Sequence, residues 1–120
     1  MSPSRLRRRN DIRAALAARN VAHGADMVIH ASRLPRSRCP AGSADDALRV
    51  AVVAGRRVGG AVQRNRAKRR LRAALASGPL PGGLDVVVVA RHSVLGADFR
   101  SLQAELAGLV ERVASRALAS

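Results

Sequence analysis

Tryptophan and tyrosine are absent from the 120 residues, and Phe99 is the one aromatic of their kind. Stacking of bases on aromatic rings, worth about 1–3 kcal/mol per base, is therefore nearly closed to this chain. Cys39 is the only cysteine, which excludes an intrachain disulfide and any cysteine-based metal site. Acids are scarce too: eight Asp and Glu stand against 22 Lys and Arg, giving a net charge of +14 and a pI near 12.0. The adjacent pair Asp45-Asp46 lies in a polar stretch, where solvation explains it. His23, His30 and His92 fall on three different elements without ligand spacing, so no metal site is expected. There is no Gly-rich phosphate loop ending in Lys-Ser/Thr, and no nucleophile has a histidine near it in sequence. The polypeptide alone is not expected to catalyse a reaction. No apolar run approaches the length of a membrane span, and the arginines near Met1 lack the apolar segment of a secretory signal. A cytoplasmic protein with no membrane partner is the expectation.

What the chain does have is positive charge in one place. From Arg56 to Arg72 there are eight Lys or Arg residues and no Asp or Glu. Such a segment repels itself unless something anionic lies against it. At about 100° per residue, Ala67, Leu71, Ala74 and Leu75 collect on one side, the apolar stripe of a helix on a core. Asn65, Lys68, Arg69 and Arg72 collect on another side. Arg66 and Arg70 point in a third direction, where keeping the surface solvated suffices. An ordinary exposed helix alternates its charges at i±4; this one does not, which favours a face that meets a polyanion. The basic residues are 21 Arg and one Lys. Arg pairs bidentately with phosphate and stacks on bases, although an abundance of Ala, Gly and Val also fits the coding bias of a GC-rich genome.

The stretch Arg57-Val58-Gly59-Gly60-Ala61-Val62-Gln63-Arg64-Asn65-Arg66-Ala67-Lys68-Arg69-Arg70-Leu71-Arg72 resembles the signature of the bacterial ribonuclease P protein family. There a basic residue, Val-Gly and Ala-Val lead into Arg-Asn-Arg-x-Lys-Arg-x-x-Arg. The resemblance covers roughly residues 5–113, with its specificity in this segment. It implies a protein cofactor of a ribozyme: the RNA subunit carries the catalytic Mg²⁺, the polypeptide binds none, and together they remove the 5′ leader of precursor tRNA. The implied partners are ribonuclease P RNA and precursor tRNA, with no obligate protein partner. The implied RNA-binding residues are Arg57, Arg64, Asn65, Arg66, Lys68, Arg69 and Arg72. A second surface is implied, a cleft between the first helix and the open face of the sheet that holds the leader. Its matching positions are Ile12, Leu16, His30, Val86 and Val88, with His30 the one ring available.

At this length a single domain with one modest core is expected. Residues 1–9, with Arg5, Arg7, Arg8 and Arg9, read as a basic flexible arm, leaving 10–120 as one RNA-binding domain. Asn10 or Asp11 caps a short helix from Ile12 to about Arg19, with Ile12, Ala15 and Leu16 inward. A break at Asn20 to Gly24 precedes a strand at Met27-Val28-Ile29-His30, and Ser32 to Asp46, with Pro35, Pro40 and Gly42, reads as a loop.

Leu48 to Ala54 reads as a buried strand, the basic helix runs from about Val62 to Ala76, and Ser77-Gly78-Pro79 with Pro81-Gly82-Gly83 ends it. Leu84 to Ala90 is a second buried strand. Asp98 caps a last helix to about Leu118, striped by Phe99, Leu102, Leu106, Leu109, Val110, Val113 and Ala117.

Strand, helix, strand makes a βαβ unit with parallel strands. The fold class is therefore α+β, an α/β sandwich: one small domain with a mixed central sheet, a crossover carrying the basic helix, and flanking N- and C-terminal helices. Crossovers are generally right-handed; the resemblance implies the left-handed form. Two other readings share the composition. One is a ribosomal or ribosome-associated RNA-binding protein with no part in cleavage. The other is a DNA-binding protein whose basic helix enters a major groove, weakened by the lack of a helix-turn-helix partner.

Overall fold

Four consecutive valines have no polar side to offer, so the strand that carries them must be covered on both faces. It is: β5 (Leu84–Ala90) is the middle strand of the sheet, and all of its residues are buried except the half-buried Val89. The computed structural model describes residues 4–5, 9–33, 48–76 and 84–119. On one side β5 pairs in parallel with β4 (Leu48–Val53), on the other antiparallel with β3 (Met27–Arg33). Outside β3 lies β2 (Asn20–His23), antiparallel, and outside β4 lies β1 (Ser4–Arg5), parallel. The sheet is mixed, in the order β1-β4-β5-β3-β2.

Alternation along the strands sorts the side chains into two layers. Met27, Ile29, Ala31, Val50, Val86 and Val88 enter the main core with α2 (Ala61–Ala76) and α3 (Phe99–Ala119). Ala51, Val53, Val87 and Val89 face the other way, where Ala15 and Ile12 of α1 (Arg9–Ala17) pack on them. The domain is thus three layers, α1, sheet, and α2 with α3. Asp98 caps α3, its Oδ2 accepting the Ser101 N–H at 3.2 Å. The α3 stripe is buried from Leu102 to Ala117, but Phe99 at its start is 36% exposed.

Several expectations need correction. Ser4 and Arg5 of the supposed flexible arm form β1, and Arg9 opens α1. Main-chain pairing along a strand edge needs no apolar side chains, so hydrophobic periodicity could not reveal it. Because α1 starts at Arg9, the caps expected at Asn10 or Asp11 fall inside its first turn. Asn20–His23, read as a break, is β2. Long-range bonds hold it: Asn20 Nδ2 donates to the Val113 carbonyl and Arg116 Nη1 to the Val21 carbonyl, both at 2.7 Å. Ser32 and Arg33 continue β3 rather than opening a loop. The remaining loop residues, including Cys39 and Asp45-Asp46, and the turn at 77–83 lie outside the described residues.

Candidate nucleic-acid interface

The basic helix is placed by what precedes it. Between β4 and α2 the chain turns through Arg56–Val58, with Val58 N–H bonded to the Gly55 carbonyl at 3.1 Å and the Val58 side chain only 1% exposed. Gly59 then takes a φ of +143°, where a side chain is strained, and a Cβ there would lie 2.9 Å from Gln63 Cβ. His92 of the 3-10 turn His92–Leu95, which follows β5, donates Nδ1–H to the Val58 carbonyl at 2.8 Å. The turn is therefore fixed at both its side chain and its backbone, and α2 starts in one direction.

Along α2, Ala67, Leu71, Ala74 and Leu75 are buried, as the spacing predicts. Asn65, Arg66, Arg69 and Arg72 are exposed and Lys68 is half-buried beside the core stripe. Arg57, in the turn ahead of the helix, is exposed as well. Among the described residues, Arg57, Arg66, Lys68, Arg69 and Arg72 pair with no carboxylate. Two arginines differ. Arg64 is half-buried and its Nε donates to the Gly59 carbonyl at 3.1 Å, so it also braces the turn. Arg70, expected only to keep the surface solvated, is half-buried and donates Nη2 to the Ala97 carbonyl, tying α2 to the start of α3. It lies about 85° from the centre of the apolar stripe, close enough to turn inward when an acceptor is there.

The cleft residues do not all meet. His30 stands in register with Val87 and Val21, so it lies on the α1 side of the sheet together with Ile12. Val86 and Val88 are fully buried in the opposite core. A shift of one residue changes the face of a strand; the valines on the α1 side are Val87 and Val89. Leu16 is 40% exposed rather than inward, Ala15 being the residue α1 buries completely. His30 Nδ1 is buried with no hydrogen-bond partner among the described residues. Burial first, and then the nearby His23, lower its pKa from the ordinary value of 6.5. The cationic face of α2 and the α1 face of the sheet belong to different layers.

The sequence also concealed a pair on this second face. Arg49 of β4 and Asp85 of β5 stand in register and join side by side, Nε to Oδ1 at 2.7 Å and Nη2 to Oδ2 at 2.6 Å. Only the alternation of the two strands, once aligned, could have shown it. No group of three or more His, Cys, Asp or Glu among the described residues could hold a metal ion. Among the same residues no helix is long and apolar enough to cross a membrane.

A parallel crossover that lays over a mixed sheet a cationic helix with no carboxylate partners among the described residues is the architecture of an α/β nucleic-acid-binding protein. A family model described as Ribonuclease P matches residues 1–114. The ribonuclease P protein component of Acidothermus cellulolyticus is 37% identical over 117 residues, covering 94% of this chain and 92% of that protein. That of Paramagnetospirillum magneticum is 33% identical over 115 residues, covering 91% and 81%. The solved structure of the Thermotoga maritima ribonuclease P protein superposes with a TM-score of 0.72 at 25% identity, covering 91% of this chain and 96% of that one. The chain belongs to the ribonuclease P protein family. With that, the ribosomal and DNA-binding readings fall away.

Proposed function

We propose that α2 docks this protein on the catalytic RNA through Asn65, Arg66, Lys68, Arg69 and Arg72, with Arg57 and Arg64 at the helix start. Family membership makes the chain a subunit of the ribonuclease P holoenzyme, which matures tRNA 5′ ends, with ribonuclease P RNA as its partner. The observation that supports the docking face is the line of cations on α2 with no carboxylate partner among the described residues. Bringing precursor tRNA against a catalytic RNA sets two polyanions together. Cations placed where they meet lower that repulsion, so substrate affinity rises and less Mg²⁺ is needed. The catalytic Mg²⁺ is held by the RNA subunit in this reading, and the polypeptide takes no part in bond breaking. The setting is the cytoplasm.

The 5′ leader of precursor tRNA lies against the α1 side of the sheet, on the exposed Leu16 and the half-buried Ile12, His30 and Val89. Without Trp or Tyr, contact there is aliphatic apart from the His30 ring.

The docking face is tested by RNA affinity as a function of salt. The Lys68→Ala/Arg69→Ala double variant should bind ribonuclease P RNA more weakly and flatten the log-log salt slope by about 1.4–1.8. An unchanged slope removes the face.

A further inference from the structure

The chain places its one aromatic of the Phe, Tyr and Trp kind outside the core. Aromatic rings are the largest apolar groups a fold can bury, yet the main core is filled by Leu, Ile, Val, Ala and Met. Phe99, the first residue of α3, stays 36% exposed, while Leu102 one turn later is completely buried. The backbone under the ring is fixed. Asp98 Oδ2 accepts the Ser101 N–H at 3.2 Å and the Ser101 hydroxyl at 3.4 Å, and the Asp98 carbonyl accepts the Leu102 N–H at 3.0 Å. Most of the side chain is backed by protein and the remainder is open to solvent, as a ring held ready for a flat partner would be.

The surroundings of Phe99 are cationic. Arg70 of α2 donates Nη2 to the carbonyl of Ala97, two residues before Phe99. Arg66, one turn earlier on α2 and about 40° from Arg70 around the helix, lies on the same flank and is exposed. Arg100, next to Phe99, is exposed as well. Asp98, the neighbouring carboxylate, is engaged in its cap. A polyanion crossing α2 on this flank meets Arg66 and then the start of α3.

An open ring between cations suits a polyanion that also presents flat, unstacked faces. Double-helical RNA shows phosphates and keeps its base faces stacked, whereas bases in loops, bulges and junctions splay out and stack on aromatic side chains. We propose that Phe99 is a stacking platform for one unpaired base of the catalytic RNA, with Arg66 and Arg100 on the phosphates beside it. The proposal rests on the docking of that RNA along α2, and it extends the interface from α2 to the start of α3.

The chain has no Trp, so Phe99→Trp puts a single fluorescent reporter at the site in the full protein. Titration with ribonuclease P RNA should quench its emission, because the indole stacks against a base. Phe99→Leu, which keeps apolar bulk and loses the ring, should weaken RNA binding about tenfold. The salt slope should stay that of the parent, since the ring carries no charge. Phe99→Tyr, which keeps a ring, should bind as the parent does. Should Phe99→Trp not fold, the contrast between Phe99→Leu and Phe99→Tyr still decides. The docking reading fails separately, if Lys68→Ala/Arg69→Ala leaves the salt slope unchanged. With that slope flattened, unquenched emission in the bound complex, or Phe99→Leu binding as tightly as the parent, would overturn the role of Phe99. Quenching by precursor tRNA and not by ribonuclease P RNA would overturn it too, by placing the ring on the substrate.

Discussion

Arg49 and Asp85 clamp the parallel pair β4–β5 from the α1 side, through hydrogen bonds of 2.7 and 2.6 Å, with their side chains 16% and 3% exposed. Removing one member leaves the other charge largely desolvated. Asp85→Ala should therefore cost about 3–5 kcal/mol in urea unfolding, while Arg49→Met/Asp85→Leu should recover most of that loss. A double variant as unstable as the single one would show that the carboxylate's worth lies elsewhere.

Gly59 sits at a φ of +143° against Gln63. Gly59→Ala should lower stability by about 1–3 kcal/mol, because the backbone conformation is strained for any side chain. A melting temperature equal to the parent's would mean that the turn relaxes freely, and that it does not fix the direction of α2.

Arg70 and Arg72 are two residues apart on one helix, the first bonded to the Ala97 carbonyl and the second exposed with no carboxylate partner among the described residues. Arg70→Met removes the bond to the Ala97 carbonyl and should cost about 1.5–3 kcal/mol of stability with the salt slope of RNA binding unchanged. Arg72→Ala should leave stability alone and reduce the slope by about 0.7–0.9. Interchanged results would show that Arg70, and not Arg72, meets the RNA.

The strands with strong apolar signals, β4 and β5, and the two long helices α2 and α3 are legible in the sequence because burial dictates their composition. The apolar stripe of α2 is legible for the same reason. β1 and β2 are not, since their stability comes from ladder bonds and from Asn20 and Arg116 reaching α3, none of which leaves a periodic trace. The α1 side of the sheet is half legible. Ile12 and His30 do lie on the α1 side, but a run of four valines carries no mark of which members face α1: Val87 and Val89 do, and Val86 and Val88 do not. The role of Arg70 is not legible, because charge alone does not reveal an acceptor such as the Ala97 carbonyl ahead of α3.

His30 makes stability depend on pH. Its pKa in the fold is lowered by burial and then by His23, so as pH falls below the ordinary value of 6.5 the unfolded chain takes up the proton first. Stability from this group is full above 6.5 and is lost as pH falls toward the lowered value. Glu105, raised by burial, acts with the opposite sign: its penalty grows as pH rises above 4.5. Comparing His30→Gln with the parent cancels Glu105. The variant should lose less stability than the parent between about pH 7 and pH 5. Parallel curves would mean that His30 titrates alike in both states.

Whether this protein serves the catalytic RNA through α2 is decided by cleavage of a precursor tRNA by a bacterial ribonuclease P RNA at low Mg²⁺, with and without the protein. Cleavage is expected only when the protein is added, and the Lys68→Ala/Arg69→Ala variant, folded as the parent, should fail to restore it. Tight RNA binding with no gain in cleavage, or full rescue by the double variant, would contradict that role.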